Sequence, residues 1–460
     1  MLPLRLYDTK TREIMTVTHT DGLVKMYCCG PTVYRDAHVG NMRTFLLSDL
    51  IRRTLHMFGY HVSIIQNITD VGHMSEDFEG EDKLLAQSKT EHIDPLAVAK
   101  KYEERFHTDL RLFNIIPADR YPKASESIAL MQDLISQLIA RGNAYVGSDN
   151  SVYFDAASFP GYGELSGNRL DSLKPGHRYE YHDDDGKKFH ADWALWKAAG
   201  NRTELIWDSP WGPGFPGWHI ECSAMSLHFL AGHVNVHVGG IDLRFPHHED
   251  ERAQSNAVTG NETVDLWVHG EHLLFHGRKM SKSAGNVVLI HDIVNRGLDP
   301  LALRLVFLEN RYRSQMDLTW ETISAANETL RKWRRVVSKS PAANPLSNTQ
   351  IAQALSDDLD TPKAVQIMRS IAKDVTLSDE MKSGYFLFAD QVLGLDLGRV
   401  EVPRELTEEI KTILDARSLA RANKNWKESD RLRGLLEERG LTIMDSSVGQ
   451  EWQWSGTTPL

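Results

Sequence analysis

The sequence predicts an α/β fold with an open parallel sheet, interrupted by an insertion and followed by α-helical C-terminal domains. Three observations predict it. A strand, a glycine turn, a helix and a second strand follow one another between residues 23 and 68. β-rich segments return between residues 233 and 275, after a long mixed stretch. Beyond about residue 296 the apolar spacing is almost purely helical.

The first strand is LVKMYCC (23–29), apolar and stopped by Gly30-Pro31. From Asn41 a helical period places Met42, Phe45, Leu46, Leu50, Ile51, Leu55 and Phe58 on one side, and Gly59 ends it. HVSIIQNI (61–68) reads as the second strand. This βαβ unit implies a Rossmann-type sheet, which takes ligands beyond the carboxyl ends of its strands, where residues 29–41 and 69–73 fall. Residues from about 75 to 210 mix helices (IALMQDLISQLIARG), short strands (SVYFD) and the polar loop HDDDGKKFH, the pattern of an insertion between two halves of the sheet. Strands resume at HVNVHV (233–238) and DLWVHGEHLLF (265–275). A later helix, ISAANETLRKWRRVV, clusters Arg331, Lys332, Arg334 and Arg335; SKSPAANPLSNT (338–349) reads as a linker, and Thr361-Pro362 as an N-cap and first helical residue. The expected domains are 1–295, 296–398 and a small unit at 399–460.

Composition excludes several classes. Apolar residues make up 41% and charged residues 25%, ordinary for a globular protein. No apolar run reaches the roughly 18 residues that would span a bilayer, and the N-terminus lacks a signal-peptide layout, so no membrane role is expected. Three cysteines, two of them adjacent, cannot build a disulfide framework, which points to a reducing, cytoplasmic setting. A net charge of −11 argues against a protein that coats nucleic acid, while leaving room for local basic faces.

Two motifs carry chemistry. His38-Val39-Gly40-Asn41 opens the first helix, where free N–H groups and the helix dipole attract phosphate. KMSKS at 279–283, followed by AGN, places Lys279 and Lys282 in a Ser- and Gly-containing loop after a strand, a clamp suited to polyphosphate. Together they resemble the signatures of class I aminoacyl-tRNA synthetases. A third constellation involves the cysteines. Cys222 lies in PGWHIECSAMS, and His247 and Glu251 in FPHHEDE are four apart, so on a helix they share a face. With a cysteine of the Cys28-Cys29 pair they make a metal-ligand set, and zinc suits such donors.

MYCCGPTVYRDAHVGN (26–41), NITDV, DWALWK, GWHIECSAM, FPHHEDE and KMSKS, in this order over nearly the full length, resemble the cysteinyl-tRNA synthetase family. The resemblance implies ATP-dependent activation of L-cysteine to cysteinyl-adenylate and transfer to the 3′ end of tRNA(Cys), with one Zn2+ per chain, Mg2+ accompanying ATP, and a monomeric enzyme. It implies Cys29, Cys222, His247 and Glu251 as zinc ligands, leaving Cys28 as a strand residue facing the other way. It further implies His38, Asn41, Lys279 and Lys282 as the catalytic groups. Gly40, Gly239, Gly240 and Asp242 would border ATP, and Thr69, Trp218 and His237 the amino acid. Arg421, Trp426, Asp430 and Asp445 match its tRNA-recognition positions. Two departures stand out: Val238 replaces a glycine of the family's His-Gly-Gly-Gly, and NITDVGHMSED replaces NITDVDDK.

A non-catalytic tRNA-binding relative should have lost the lysines or the zinc ligands, and this chain keeps both; two further readings compete. A ligase joining activated cysteine to a small amine, as in mycothiol synthesis, would share the adenylation site but lack an anticodon unit. A zinc hydrolase would not need KMSKS.

Overall fold

The computed structural model describes residues 2–72, 82–173, 186–280, 285–399, 406–446 and 449–454. Lys282 lies outside them. At the N-terminus β1 (Arg5–Asp8) and β2 (Glu13–Thr16) pair antiparallel. The predicted unit follows as β3 (Leu23–Cys28), α1 (Val39–Met57) and β4 (His61–Gln66), with β4 parallel to β3. Next come α2 (Lys83–Glu91), α3 (Pro95–Leu112) and α4 (Ile128–Ala140). The strands β5 (Ala144–Val146), β6 (Val152–Phe154), β7 (Trp193–Ala198) and β8 (Gly214–Pro216) form an antiparallel sheet in that order, over a core that includes Phe154, Trp193 and Trp196. Its last strand lies beyond residue 210.

The chain then returns to the parallel sheet through α5 (Trp218–Phe229), β9 (Val234–Gly240), α6 (His247–Thr259) and β10 (Val264–Gly270). The strand order β10-β9-β3-β4 is parallel throughout, the predicted open α/β core. Alternation sorts its side chains. Met26, Cys28, Val236, Val238, Leu266 and Val268 pack with Met42, Phe45 and Leu46 of α1, whereas Tyr27, Cys29 and Trp267 pack with Cys222 and Met225 of α5. Val238 therefore buries its side chain in the core under α1, on the face opposite Cys29.

The segment DLWVHGEHLLF departs from a single strand. β10 ends at Gly270, and β11 (Leu273–Phe275) joins a separate sheet with β12 (Arg278–Lys279) and β13 (Met316–Leu318). The break falls where the Glu271 and His272 carbonyls accept from Arg43 instead of a strand neighbour. Between β12 and β13 lie α7 (Ile290–Asn295) and α8 (Pro300–Leu308). Four helices follow: α9 (Trp320–Ser338), α10 (Thr349–Ser356), α11 (Thr361–Lys373) and α12 (Asp379–Leu393). Arg334 of the basic run is buried and paired to Asp299 at 2.7 Å. The cap of α11 is Asp360, whose carboxylate accepts from the Lys363 N–H at 3.2 Å; Thr361 and Pro362 belong to its first turn. The C-terminal unit holds α13 (Glu408–Ala422) and α14 (Trp426–Glu438), and then a hairpin that helical periodicity does not predict, β14 (Leu441–Ser446) with β15 (Gly449–Trp454).

One buried ion pair ties α1 to the helical region. Asp49 of α1 accepts from Arg304 Nη2 of α8 at 2.5 Å, from Arg53 Nε at 2.8 Å and from the Ile116 N–H at 3.0 Å. Arg304 also donates to the carbonyls of Leu393, Phe113 and Asn114. Asp49→Ala strands the Arg304 charge in the interior and is expected to lower stability by about 3–5 kcal/mol. The measurement is the urea unfolding midpoint, and an unchanged midpoint contradicts the pairing.

Candidate active site and metal centre

The carboxyl ends of β3 and β9 lie side by side because the strands are parallel, with Tyr27 opposite His237 and Cys28 opposite Val238. The next residue, Cys29, donates its N–H to the Val238 carbonyl at 3.1 Å and turns its thiol to the face covered by α5 and α6. There it meets Cys222 of α5 and His247 and Glu251 of α6. Donor atoms of these four residues all lie within 4.8 Å of one another. The i,i+4 spacing works as expected on α6, with His247 Nε2 at 2.9 Å from Glu251 Oε1.

A second group of four shares two of those residues: Cys29, His237, His248 and Glu251. His248 Nε2 is 3.3 Å and His237 Nε2 3.5 Å from the Cys29 sulfur. The sequence reading missed His248. Its signal is the adjacent His in FPHHEDE, three residues before Glu251, which was passed over in favour of the four-residue spacing. Hydrogen bonds behind each imidazole fix its orientation. His247 Nδ1 meets His219 Nδ1 at 2.8 Å, with Asp250 behind His219 at 3.4 Å. His248 Nδ1 meets His269 Nε2 at 2.8 Å, and His269 Nδ1 meets the Thr9 hydroxyl at 2.7 Å. Gly239 is required by this packing, since a Cβ there would sit 2.5 Å from the His248 ring.

The electrostatics fit a cation. All members of the cluster are buried, and among the described residues no lysine or arginine pairs with Cys29, Cys222 or Glu251. Burial, and then the neighbouring Cys222, push the Cys29 thiol well up; burial likewise raises the Glu251 carboxyl. Burial also acts to raise Cys222, but its hydrogen bond with Cys29 and the His247 charge bring it below the ordinary thiol value. Two thiols, imidazole and carboxylate crowded together with no lysine or arginine paired to them are a ready-made ligand set for a divalent metal. Cys28, on the other face, is pushed up to about 12 by burial and takes no part.

The remaining candidates lie beside this cluster or near the start of α1. Trp218 stacks on His247 with ring centroids 4.3 Å apart, and His237 stacks on Trp267 at 4.5 Å. The Thr69 hydroxyl donates to Glu221 Oε2 at 2.8 Å and accepts from Asn67 at 3.1 Å. His38 caps α1: its Nδ1 accepts from the N–H groups of Gly40 at 3.1 Å and Asn41 at 3.3 Å, while Asn41 Oδ1 accepts from the His38 N–H at 3.1 Å. With Nδ1 an acceptor, the proton of the neutral ring sits on Nε2, which is left as a donor. Met280 and Val288, to either side of Lys282, touch the same turn. A Cβ at Gly40 would lie 3.2 Å from Met280 Cε, and the Val39 N–H donates to the Val288 carbonyl at 2.9 Å. Lys279 and Asn41 are exposed, as is Asp242, which a Cβ at Gly240 would approach to 2.4 Å.

In the C-terminal unit Trp426 is 56% exposed with the Arg421 guanidinium 5.7 Å from its ring centroid, and Asp430 is exposed. Asp445 is engaged by three arginines, Arg417 at 3.0 Å, Arg421 at 3.1 Å and Arg433 at 2.8 Å. Its carboxyl is lowered chiefly by the Arg417 hydrogen bond.

Two predictions follow from this geometry. The purified protein is expected to bind about one divalent metal per chain. Cys222→Ser and His247→Ala should lose it, whereas Cys28→Ser should keep it; elemental analysis decides, and equal loss from the Cys28 and Cys222 variants overturns the ligand set. His38 is held down to about 4 by burial and then by the Arg35 charge, against the opposing pull of Asp242. An unfolded histidine titrates near ~6.5, so the unfolded chain takes up a proton that the folded one refuses, and this group costs stability as pH falls through that window. An NMR titration should find His38 still neutral at a pH of about 5.5; a protonated ring there contradicts its cap.

The family description "tRNA synthetases class I (C) catalytic domain" matches residues 15–328, and "Cysteinyl-tRNA ligase anticodon binding domain" matches residues 404–452. A protein of Thermus thermophilus named "Cysteine--tRNA ligase" is 38% identical, covering 98% of this chain and 99% of its own length. A Deinococcus radiodurans protein of the same name is 39% identical over 98% of this chain and 96% of its own. Among solved structures, an Agrobacterium radiobacter LeuRS in a ternary complex with tRNA aligns with a TM-score of 0.59 at 10% identity, over 82% of this chain and 84% of that one. Methionyl-tRNA synthetase of Mycobacterium tuberculosis aligns with a TM-score of 0.53 at 14% identity, over 82% and 93%. At those identities the structural likeness carries the fold alone. Sequence likeness that runs from the first strands to the C-terminal hairpin carries more: the chain belongs to the cysteinyl-tRNA ligase family of class I tRNA synthetases.

Proposed function

We propose that the chain activates L-cysteine with ATP and passes the cysteinyl group to the 3′ end of tRNA(Cys). The observation that carries this reading is one juxtaposition. A cluster of buried thiols, imidazoles and a carboxylate lies at the same sheet edge as a helix N-terminus contacted by Met280 and Val288, to either side of Lys282. In the first step the cysteine carboxylate attacks the α-phosphate of ATP, releasing pyrophosphate and leaving cysteinyl-adenylate; in the second, the acyl group moves to the terminal ribose and AMP departs. The protein's task is positioning and charge stabilisation more than covalent chemistry.

His38 offers its Nε2–H to a phosphate oxygen, because its own cap holds Nδ1 and keeps the ring neutral. Asn41 stands beside it, and Gly40 permits the close approach. Lys279 and Lys282 offset charge that builds on the leaving pyrophosphate, with Mg2+ accompanying ATP. Gly239, Gly240 and Asp242 border the nucleoside. Thr69, Trp218 and His237 line the amino-acid pocket, His237 and Trp218 held in place by ring stacking. Cys29, Cys222, His247 and Glu251 would hold zinc. Bound there, zinc supplies a soft Lewis acid for the substrate thiolate, a preference that serine's hydroxyl cannot match. The chain's own part in that selection is to keep water out and the ligands fixed.

The two competing readings have less support. A ligase acting on a small amine has no use for a unit that resembles an anticodon-binding domain. A zinc hydrolase has no use for paired phosphate-binding motifs.

A paired assay tests the assignment in the full chain: cysteine-dependent pyrophosphate exchange beside charging of tRNA. Lys282→Ala should slow exchange roughly 10²–10³-fold while cysteine binding holds. Trp426→Ala should leave exchange unchanged and weaken charging by ~1–3 kcal/mol, the worth of one stacked base. Unaltered charging by the Trp426 variant would remove the C-terminal unit from tRNA recognition.

A further inference from the structure

We propose that Arg43 is a positioning residue that sets Lys279 against the phosphate-facing turn of α1. The inference rests on the reading above that Lys279 meets the phosphates. Arg43 lies two residues beyond Asn41 on α1 and is 4% exposed. Nη1 donates to the carbonyls of Glu271 at 2.9 Å and His272 at 3.1 Å, and Nη2 to those of Arg311 at 3.0 Å and Ser314 at 2.7 Å. Among the described residues no carboxylate pairs with it.

Those four carbonyls mark two entrances. Glu271 and His272 form the turn leading into β11, and residues 311–314 the turn leading into β13. The two turns are also joined directly, the Glu271 N–H donating to the Tyr312 carbonyl at 2.8 Å. β11 and β13 run parallel, Leu273 opposite Met316 and Phe275 opposite Leu318. The third strand, β12, is antiparallel to β11 and sets Lys279 opposite Leu274. Asp317 of β13 braces the hairpin turn by accepting from the Gly277 N–H at 2.8 Å. Beyond Lys279 the chain comes back to the first turn of α1, at Met280 against Gly40 and Val288 against Val39. The strand that presents Lys279 is thus held on α1 from both sides, and Arg43 supplies the grip on the far side.

The chemistry of the grip favours positioning over mere filling. A guanidinium buried among neutral carbonyls is a costlier filler than an apolar side chain of like volume. What it provides is direction, since its planar fork fixes two pairs of bonds in one plane. A lysine at 43 has a single nitrogen and cannot reach both turns at once, so the small sheet would shift relative to His38 while each part stayed folded.

A double-mutant cycle on cysteine-dependent pyrophosphate exchange tests this, with wild type, Arg43→Lys, Lys279→Ala and the double variant. Arg43→Lys is expected to lower the exchange kcat roughly 10–100-fold, the scale of an ångström-sized misplacement, with the KM for cysteine held within about twofold. In the Lys279→Ala background the same substitution should cost less than about threefold, because the group it positions is gone. Equal fold-losses in the two backgrounds would make Arg43 a packing residue and overturn the proposal, leaving the role of Lys279 standing. A Lys279→Ala enzyme that exchanges at the wild-type rate would overturn both. Arg43→Gln, which keeps two N–H donors, serves the same cycle if the lysine variant does not fold.

Discussion

Register between β3 and β9 is the constraint on which the site depends. Only three residue pairs join these strands, Met26 with Val236, Tyr27 with His237 and Cys28 with Val238, yet they bring together segments more than two hundred residues apart. Because side chains alternate across a sheet, a slip of one residue would exchange the two faces. Cys28 would then face the metal ligands and Cys29 the apolar core beneath α1. The pairing is specified from both sides, by Met26, Val236 and Val238 packing under α1 and by Tyr27 and Trp267 packing under α5. The adjacent cysteines thus have unequal parts that neither their composition nor their spacing distinguishes.

Parallel pairing also places the carboxyl ends of β3, β4 and β9 on one edge, and the starts of α1 and α6 with them. At that edge a structural duty sets the chemistry a side chain can offer. His38 satisfies orphan N–H groups of its own helix, and that commitment of Nδ1 is what leaves Nε2 free to act as a neutral donor. His219 and His269 do similar work for His247 and His248 from behind.

Much of this was legible in the sequence because strong periodicity and short-range signals coincide there. The βαβ unit at 23–68 and the helices beyond 296 read directly, and the four expected metal ligands do lie together. What was not legible depends on distant partners. DLWVHGEHLLF has the composition of one strand, and only the approach of Arg43 and β13 divides it. His248 gains its place from Gly239, which leaves room for the ring, and from His269 on the neighbouring strand. The strands of the C-terminal hairpin are short and partly polar, so their pairing is not carried by a pattern along either strand. At Asp360 the miss was local: Thr361-Pro362 obscured a better cap one residue earlier.

The C-terminal unit bears on how an acidic chain can read a polyanion. Net charge is −11 over the whole sequence, but charge acts locally, since screening in physiological salt limits its reach to about 8 Å. Around Asp445 three guanidinium groups share one carboxylate, so the cluster keeps two positive charges after pairing. Beside it Trp426 stands 56% exposed. Apolar surface of that size gains nothing from water, and an arginine poised over the indole adds a cation to a flat aromatic face. Unpaired bases offer what such a surface lacks, a π-face to stack and a backbone to neutralise. Asp445, committed to three arginines, anchors Arg421 and Arg433, and its loss would disperse the cluster even though the local positive charge would rise.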